Sequence, residues 1–507
     1  MTLRLTTLLW LVALSVQAQT KYWILLKDKD ATSVPALSQQ TLQQRQLQNL
    51  SVDETDKPVS GAYLRQLKQI GIQTVCHSRW LNAVSARLSN EQYAYVRSLP
   101  FVQEVRAIDP AIVITSIDLP VKPQMAPVMT QIQAPDFAQA GLTGRFVNVG
   151  VIDAGFFGAD SANALKHVFA RQGVKQVRDY VNVKKTNNNL FRTLETNSDF
   201  HGTEVFAAIA GSDPTENIQF GLATDATFYL ARTDQGNREY RGEEDNWVAA
   251  MEWMDSLGVR LINTSLGYAK GMSNPKENYE PGQMDGHTSL ISRAAQIAAD
   301  KKGILIVVSA GNEGEDRSWR IISTPADAQG VLAIGATNAR LWNRIGYSSI
   351  GPENLPYLKP NVSCFSLYGT SLSAPVITGF AACIMQANPK LTNKEVIDII
   401  EKSSHLYPYG NNYVGYGVPQ ASRALALLRN QPLTATSRTV KASGKTFALM
   451  LETKEPVVSV FHKKDATHVL NQEAAKVSDG KVTLRRSSDE KQTTVDLKKE
   501  VIEVIWE

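Results

Sequence analysis

Between residues 146 and 337 the chain repeats one pattern that few folds can accommodate. Short, almost unbroken apolar runs occupy residues 147–152, 227–231, 259–263, 303–309 and 331–335. Several of them close on a polar residue: Asp153, Asn263 and Ser309. Between some of these runs lie longer stretches with helical periodicity, 244–257 and 288–301. A strand that is apolar on both faces must be covered on both faces. Such strands alternating with helices therefore predict a parallel sheet sandwiched between helical layers. In that architecture ligands bind beyond the carboxyl ends of the strands. The polar residues that close the runs are the first places to look for chemistry.

The flanks follow other rules. At the N-terminus Arg4 precedes an apolar run over 8–16, and Val16-Gln17-Ala18 lies where a signal peptidase would cut. This is the pattern of a signal peptide over residues 1–18, too short to span a bilayer comfortably. No later stretch reaches about 18 uninterrupted apolar residues, so no transmembrane segment is expected. A mixed stretch follows. It has a strand-like run over 22–26, a Gln-rich helix over 38–50 with Leu42, Leu47 and Leu50 among polar residues, and a helix over 63–70. Further strands are expected over 72–75, within 80–88 and over 102–108, and a helix capped by Asn90 over 91–98. Together these predict a small α+β unit over 19–120. Pro110, Pro120, Pro123, Pro127 and Pro135 then read as a linker. Beyond residue 431, short alternating runs separated by polar turns predict a β-sandwich-like module over 431–507. The parallel-sheet domain is left with residues 121–430. Net charge is only +4, from 53 basic and 49 acidic residues, which gives no electrostatic footprint for nucleic acid. Three cysteines, Cys76, Cys364 and Cys383, cannot form a disulfide framework.

Four stretches carry candidate chemistry. In Val149-Gly150-Val151-Ile152-Asp153-Ala154-Gly155 a buried strand delivers one carboxylate at its tip. In Asp199-Phe200-His201-Gly202-Thr203-Glu204 an imidazole opens a helix of small residues. In Ser309-Ala310-Gly311-Asn312-Glu313-Gly314 a strand ends in a Gly-flanked Asn, where the backbone can approach a ligand and an amide can donate to it. In Gly369-Thr370-Ser371-Leu372-Ser373-Ala374-Pro375 a serine opens a helix, where the helix dipole favours negative charge. Each has an ordinary structural reading beside the chemical one. A strand tip often ends in Asp, a His can cap a helix, an Asn can fill a turn, and Ser373 is a second candidate nucleophile. A metal site pairing His201 with Glu204 lacks the His-Glu-x-x-His spacing and a third ligand.

Together, in the order Asp153, His201, Asn312, Ser371, these stretches resemble the subtilisin-like serine proteases, or subtilases; that order and the oxyanion role of the Asn are standard examples for the family. The resemblance runs over about residues 141–428. It includes Asn263-Thr264-Ser265-Leu266-Gly267, similar to the segment that lines the family's peptide-binding cleft. The α+β unit resembles the family's inhibitory propeptide. Two departures stand in the motifs: Glu204 occupies the place of a second, non-catalytic His, and Thr-Ser-Leu-Ser-Ala-Pro replaces Thr-Ser-Met-Ala-Ser-Pro.

The resemblance implies a secreted or extracytoplasmic endopeptidase made as a self-processing precursor. Its partners would be polypeptide substrates and its own propeptide, with release between about residues 109 and 131. Asp153, His201 and Ser371 would form the triad and Asn312 the oxyanion donor, with Ser265, Leu266 and Gly267 binding substrate. Structural calcium is a family feature that no loop here can be matched to, and no cofactor is assigned. The alternatives are a catalytically inactive subtilase-fold binding protein and a different serine hydrolase. The latter would need a Gly-x-Ser-x-Gly elbow, absent around Ser371, and another residue order. The C-terminal module contains none of these groups and is expected to be dispensable for hydrolysis of a small peptide.

Overall fold

The computed structural model describes residues 20–108, 122–182, 189–235, 243–270, 278–434 and 436–507. The expected signal peptide and the first half of the Pro-rich segment lie outside them.

The expected sheet is present, with seven parallel strands. From one edge to the other they are Val362–Phe365, Leu332–Thr337, Leu305–Ser309, Leu261–Thr264, Asn148–Asp153, Thr227–Arg232 and Val174–Asp179. The five apolar runs supply the five inner strands. The two edges were not foreseen, for different reasons. Val174–Asp179 is polar and largely exposed, as edge strands tend to be. Val362–Phe365 is fully buried but only four residues long. One face of the sheet is covered by the helices Glu244–Ser256 and Leu290–Lys302, whose Trp247, Met251, Met254 and Ile291 join Ile152, Ile262, Ile306 and Val308. On the other face lie His201–Ala210 and Thr370–Ala387, with Phe206, Val376 and Phe380 against Val149, Val151 and Val307. Thr370–Ala387 is long and apolar enough to cross a bilayer, but 89% of it is buried in this core.

The N-terminal unit is a four-stranded antiparallel sheet ordered Thr74–Ser78, Ala83–Leu88, Thr20–Leu26, Val102–Ala107. Strand alternation splits its first strand between two cores. Ile24 and Leu26 pack on the unit's own helices with Leu67 and Val96, whereas Trp23 and Leu25 join the Trp247 cluster of the large domain. Ser89, not Asn90, caps the helix Asn90–Arg97 through Gln92 N. The Gln-rich helix, Gln39–Leu47, buries the face opposite to the one its leucines suggest: Leu42 and Leu47 are exposed, whereas Thr41, Arg45 and Gln48 are buried. The physical reason is its partner. Thr41 Oγ1 donates to Asp255 O (2.8 Å), both Asp255 oxygens accept from Arg45 Nη2 (2.9 and 3.0 Å), and Gln48 lies against Gly303.

The Pro-rich segment is not wholly extended. It becomes helical over Lys122–Gln131 despite Pro127, and again over Ala134–Gln139 with Pro135 in the first turn. Val128, Met129 and Ile132 belong to the large domain's core, and Gln131 Oε1 accepts from Phe365 N (2.6 Å). The C-terminal module is a five-stranded sheet facing a two-stranded antiparallel sheet, Thr446–Met450 with Lys481–Arg485, across Val460, Val482, Leu484, Val504 and Trp506. This is the expected sandwich-like arrangement. The polar strands Ser437–Ala442, Val469–Lys476 and Gln492–Asp496 carried too little apolar signal to be foreseen.

Candidate active site

The carboxyl ends of the inner strands bring the candidate residues together. Asp153 ends its strand, fully buried, and Oδ1 accepts from Ala154 N (2.8 Å) and from His201 Nδ1 (2.6 Å). This close approach depends on two glycines. A Cβ on Gly202 would lie 2.2 Å from Gly155 O, and one on Gly155 would lie 2.5 Å from Asp199 Cα. With Nδ1 committed to the carboxylate, the other ring nitrogen, Nε2, is buried and has no partner among the described residues. Burial alone would lower the His201 pKa. The charge and hydrogen bond of Asp153, helped by the charge of Glu204, outweigh it and raise the pKa above the ordinary 6.5.

Ser371 is the second residue of Thr370–Ala387, a helix that starts after Gly369 at φ 128° and packs against the His201 helix. Its hydroxyl donates to Ser265 O at 3.4 Å, and among the described residues no hydrogen bond joins it to His201. Ser371 and His201 are each only 2% exposed. Ser373, the second serine, is fully buried one turn into the helix and donates to Thr370 O (2.9 Å).

Asn312 lies in the turn after Leu305–Ser309. Its Oδ1 accepts from both Thr370 N and Thr370 Oγ1 at 2.9 Å, which fixes the carboxamide and directs its NH2 away from Thr370. The backbone N–H of Asn312 donates to Glu313 Oε2 (2.9 Å), which assigns any donor role towards substrate to the side chain. Burial pushes the Glu313 carboxyl up.

Ser265 adjoins Ser371 directly, its Oγ donating to Ser371 O (2.9 Å) and accepting from Asn263 Nδ2 (3.2 Å). Leu266 is different. Its side chain is buried in the Trp247 cluster, so only its backbone can face a peptide. Gly267 packs on Ser323, whose Oγ would be 2.1 Å from an added Cβ.

Arg232 escaped the sequence reading. It closes the strand Thr227–Arg232, is fully buried, and donates from Nε to Ala154 O (2.9 Å). Its Nη2 pairs with Asp199 Oδ1 at 2.9 Å, and Asp199 Oδ2 accepts from Glu195 N and Thr196 N. One guanidinium thus ties the residue after Asp153 to the residue two before His201. The rule that flagged Asp153, a polar residue at a strand's carboxyl end, would have found it. Among the described residues no three His, Cys, Asp or Glu side chains are grouped to hold a metal ion. All three cysteines are free thiols.

A parallel sheet that sets a buried Asp–His pair near a serine at a helix start defines a class, the serine hydrolases of α/β architecture. The comparisons with known proteins narrow it. The model of the subtilase family matches residues 144–417, more than half of the chain, and that of the peptidase S8 propeptide domain, Bacteroidota, matches residues 21–112. The chain belongs to the subtilase family and is a serine endopeptidase that carries a propeptide domain. Among its relatives, subtilisin DY of Bacillus licheniformis is 30% identical over 277 residues, 52% of this chain and 86% of that protein. Subtilisin NAT of Bacillus subtilis subsp. natto is 29% identical over 305 residues, 57% of this chain and 68% of the relative. In fold, the chain is similar to the epidermin leader peptide processing serine protease (EpiP) of Staphylococcus aureus. That match has a TM-score of 0.56 at 15% identity and covers 82% of this chain and 100% of the other.

Proposed function

We propose that this subtilase is an exported endopeptidase that frees itself from its propeptide and cleaves polypeptides through Asp153, His201 and Ser371. The observation that carries the reading is the imidazole of His201, tied at Nδ1 to Asp153 at 2.6 Å with Nε2 buried and unpartnered among the described residues. A serine hydroxyl is a weak nucleophile until a base accepts its proton. In the proposed step Ser371 Oγ bonds to the scissile carbonyl carbon while its proton passes to His201 Nε2. Asp153 stabilises the resulting imidazolium. The oxyanion accepts from the Asn312 carboxamide and the Ser371 backbone N–H at the helix start. The intermediate collapses, the C–N bond breaks, and the proton moves from His201 to the leaving amine. Water then attacks the acyl-enzyme by the same route. Ser265 and the backbone at Leu266 and Gly267 form one wall for the peptide.

Residues 1–18 act as the signal peptide, the 19–120 unit as inhibitor and folding aid, and 121–430 as the peptidase domain. Val128 lies in the peptidase core, so self-cleavage falls between residues 109 and 127, narrower than the sequence alone suggested. No observation favours an inactive binding protein. The test is N-terminal sequencing of the exported wild type and of Ser371→Ala. The wild type should start between residues 110 and 128 and react with a fluorophosphonate. Ser371→Ala should fold, retain the propeptide and neither label nor hydrolyse casein. Processed, active Ser371→Ala would overturn the assignment; Ser373→Ala should keep most activity.

A further inference from the structure

The turn that presents Asn312 is not held by the sheet alone. The irregular segment 338–351 braces it from one side. Ser349 N donates to Gly311 O (3.0 Å), Glu313 N donates to Ser349 Oγ (3.1 Å), and Gly314 N donates to Tyr347 O (2.7 Å). Both residues that flank Asn312, and the one beyond, are thus fixed by residues 347–349. The segment contains no helix or strand, and Trp342 takes a left-handed φ of 61°. Irregular backbone of this kind is defined by its partners.

Some partners lie in the peptidase domain: Ile345 N donates to Ala336 O (3.1 Å), Ser348 Oγ accepts from Ala336 N (2.9 Å) and Tyr347 Oη donates to Ser366 O (2.7 Å). Those of residues 341–344 include two from the C-terminal module. Gln472 grips Arg344 at both backbone atoms: Arg344 N donates to its Oε1 (3.1 Å) and its Nε2 donates to Arg344 O (2.7 Å). Ser459 Oγ donates to Leu341 O (2.9 Å). At the far end Gly351 N donates to Asn412 O, and Asn412 is itself held by Thr467 O and Val469 N. The Arg344 side chain turns back, and Nη1 donates to Gly346 O and Ser348 O at 2.6 Å. The contact surface has an apolar core and a buried polar contact. Phe461 and Val501 of the module share a core with Ile350, Leu406, Tyr413 and Val414, and His405 Nε2 meets Asp496 Oδ2 at 3.1 Å with both side chains buried.

We propose that the C-terminal module is a positioning element for catalysis. Through Ser459 and Gln472 it fixes residues 341–344, and through residues 347–349 it fixes the turn that aims Asn312. The inference rests on the proposed oxyanion role of Asn312. It argues against the expectation that the module is dispensable for hydrolysis of a small peptide.

The test uses the full chain after activation, with Gln472→Ala, Ser459→Ala and their combination, each also placed in an Asn312→Ala background. A peptide anilide gives kcat and KM. A peptidyl aldehyde, which adds Ser371 to form a hemiacetal, reports the oxyanion site; a product-like peptide acid reports ground-state binding. The double variant should lower kcat about tenfold and weaken aldehyde binding by a similar factor. This lies below the about 10²–10³ that follows loss of the donor itself. KM and product binding should stay within about twofold. In the Asn312→Ala background the same changes should have little further effect on kcat, because the group they aim is gone. An unchanged kcat in Gln472→Ala/Ser459→Ala, or an equal loss in both backgrounds, would overturn the proposal. Wild-type kcat in Asn312→Ala alone would instead overturn the oxyanion role. If the double variant does not accumulate as folded protein, Ser459→Ala and Gln472→Glu are judged on the same split between kcat and KM. Gln472→Glu keeps the acceptor for Arg344 N and loses the donor.

Discussion

Arg79 of the propeptide unit gives a direct measure of how that unit is held. Its Nη2 pairs with Asp255 Oδ2 at 2.6 Å and donates to Glu252 O at 3.2 Å; its side chain is 17% exposed and that of Asp255 4%. Truncating one partner of a buried, hydrogen-bonded charge pair costs about 2–5 kcal/mol. Asp255 would remain paired with Arg45 at 2.9 Å, so the low end applies, about 2 kcal/mol. At 1.4 kcal/mol per tenfold this weakens inhibition about 30-fold. The assay adds the isolated propeptide unit, wild type or Arg79→Ala, in trans to the mature enzyme and measures the inhibition constant, with circular dichroism as a check on folding. Lys57→Ala is the control. Its ion pair with Glu54, 72% exposed, lies within the unit, and the change should be within about twofold. The shift at Arg79 should persist at high salt, since buried pairs are screened little. Equal inhibition by wild type and Arg79→Ala would refute the reasoning. So would full additivity of Arg79→Ala with Asp255→Ala in the enzyme, because two residues that act through one contact must couple.

Other outcomes follow from the site. Asn312→Ala should lower kcat about 10²–10³-fold with a smaller change in KM, measured on a peptide anilide. In the proposed role of base His201 must be neutral, so kcat/KM should rise with pH through its pKa. The Asp153 pairing places that acid limb above pH 6.5. Glu204→Gln removes a charge that raises this pKa, and the limb should move to lower pH in a pH–rate profile. Cys364 and Cys383 are buried, their Sγ atoms lying 3.5 Å from Ser373 O and Leu142 O respectively. Burial pushes both thiols up, Cys383 to about 12. Iodoacetamide should therefore label neither in the native protein and both after unfolding, as read by mass spectrometry.

The inner sheet and the candidate triad were legible because their signals are local. A strand buried on both faces must be apolar throughout, and the residue that ends it must be polar if it is to face a site. Residues 149–153 satisfy both conditions within five positions. The edges were not legible, because an edge strand such as Val174–Asp179 has one side in water and no obligatory pattern. The helix Gln39–Leu47 misled for a related reason. Its buried face is polar, and nothing within nine residues can show that Arg45 has a carboxylate waiting 210 positions away.

The same distinction explains which residues of the candidate site were missed. Asp153, His201 and Ser371 stand in short motifs because each needs particular neighbours: glycines for close approach, a helix start for an anion. Residues that hold those groups in place need only a partner across space. Arg232 reaches Ala154 and Asp199 from the adjacent strand, and Gln472 reaches Arg344 across 128 positions. A fully buried guanidinium is tolerable only beside opposite charge, and Arg232 has carboxylate oxygens of Asp199, Glu195 and Asp179 at 2.9, 3.4 and 3.6 Å. The Asp153 strand tip and the entrance to the His201 helix are the two sides of the junction it bridges. The approach of Asp153 to His201 is therefore tied to a third residue, which contacts the chain on both sides of that junction.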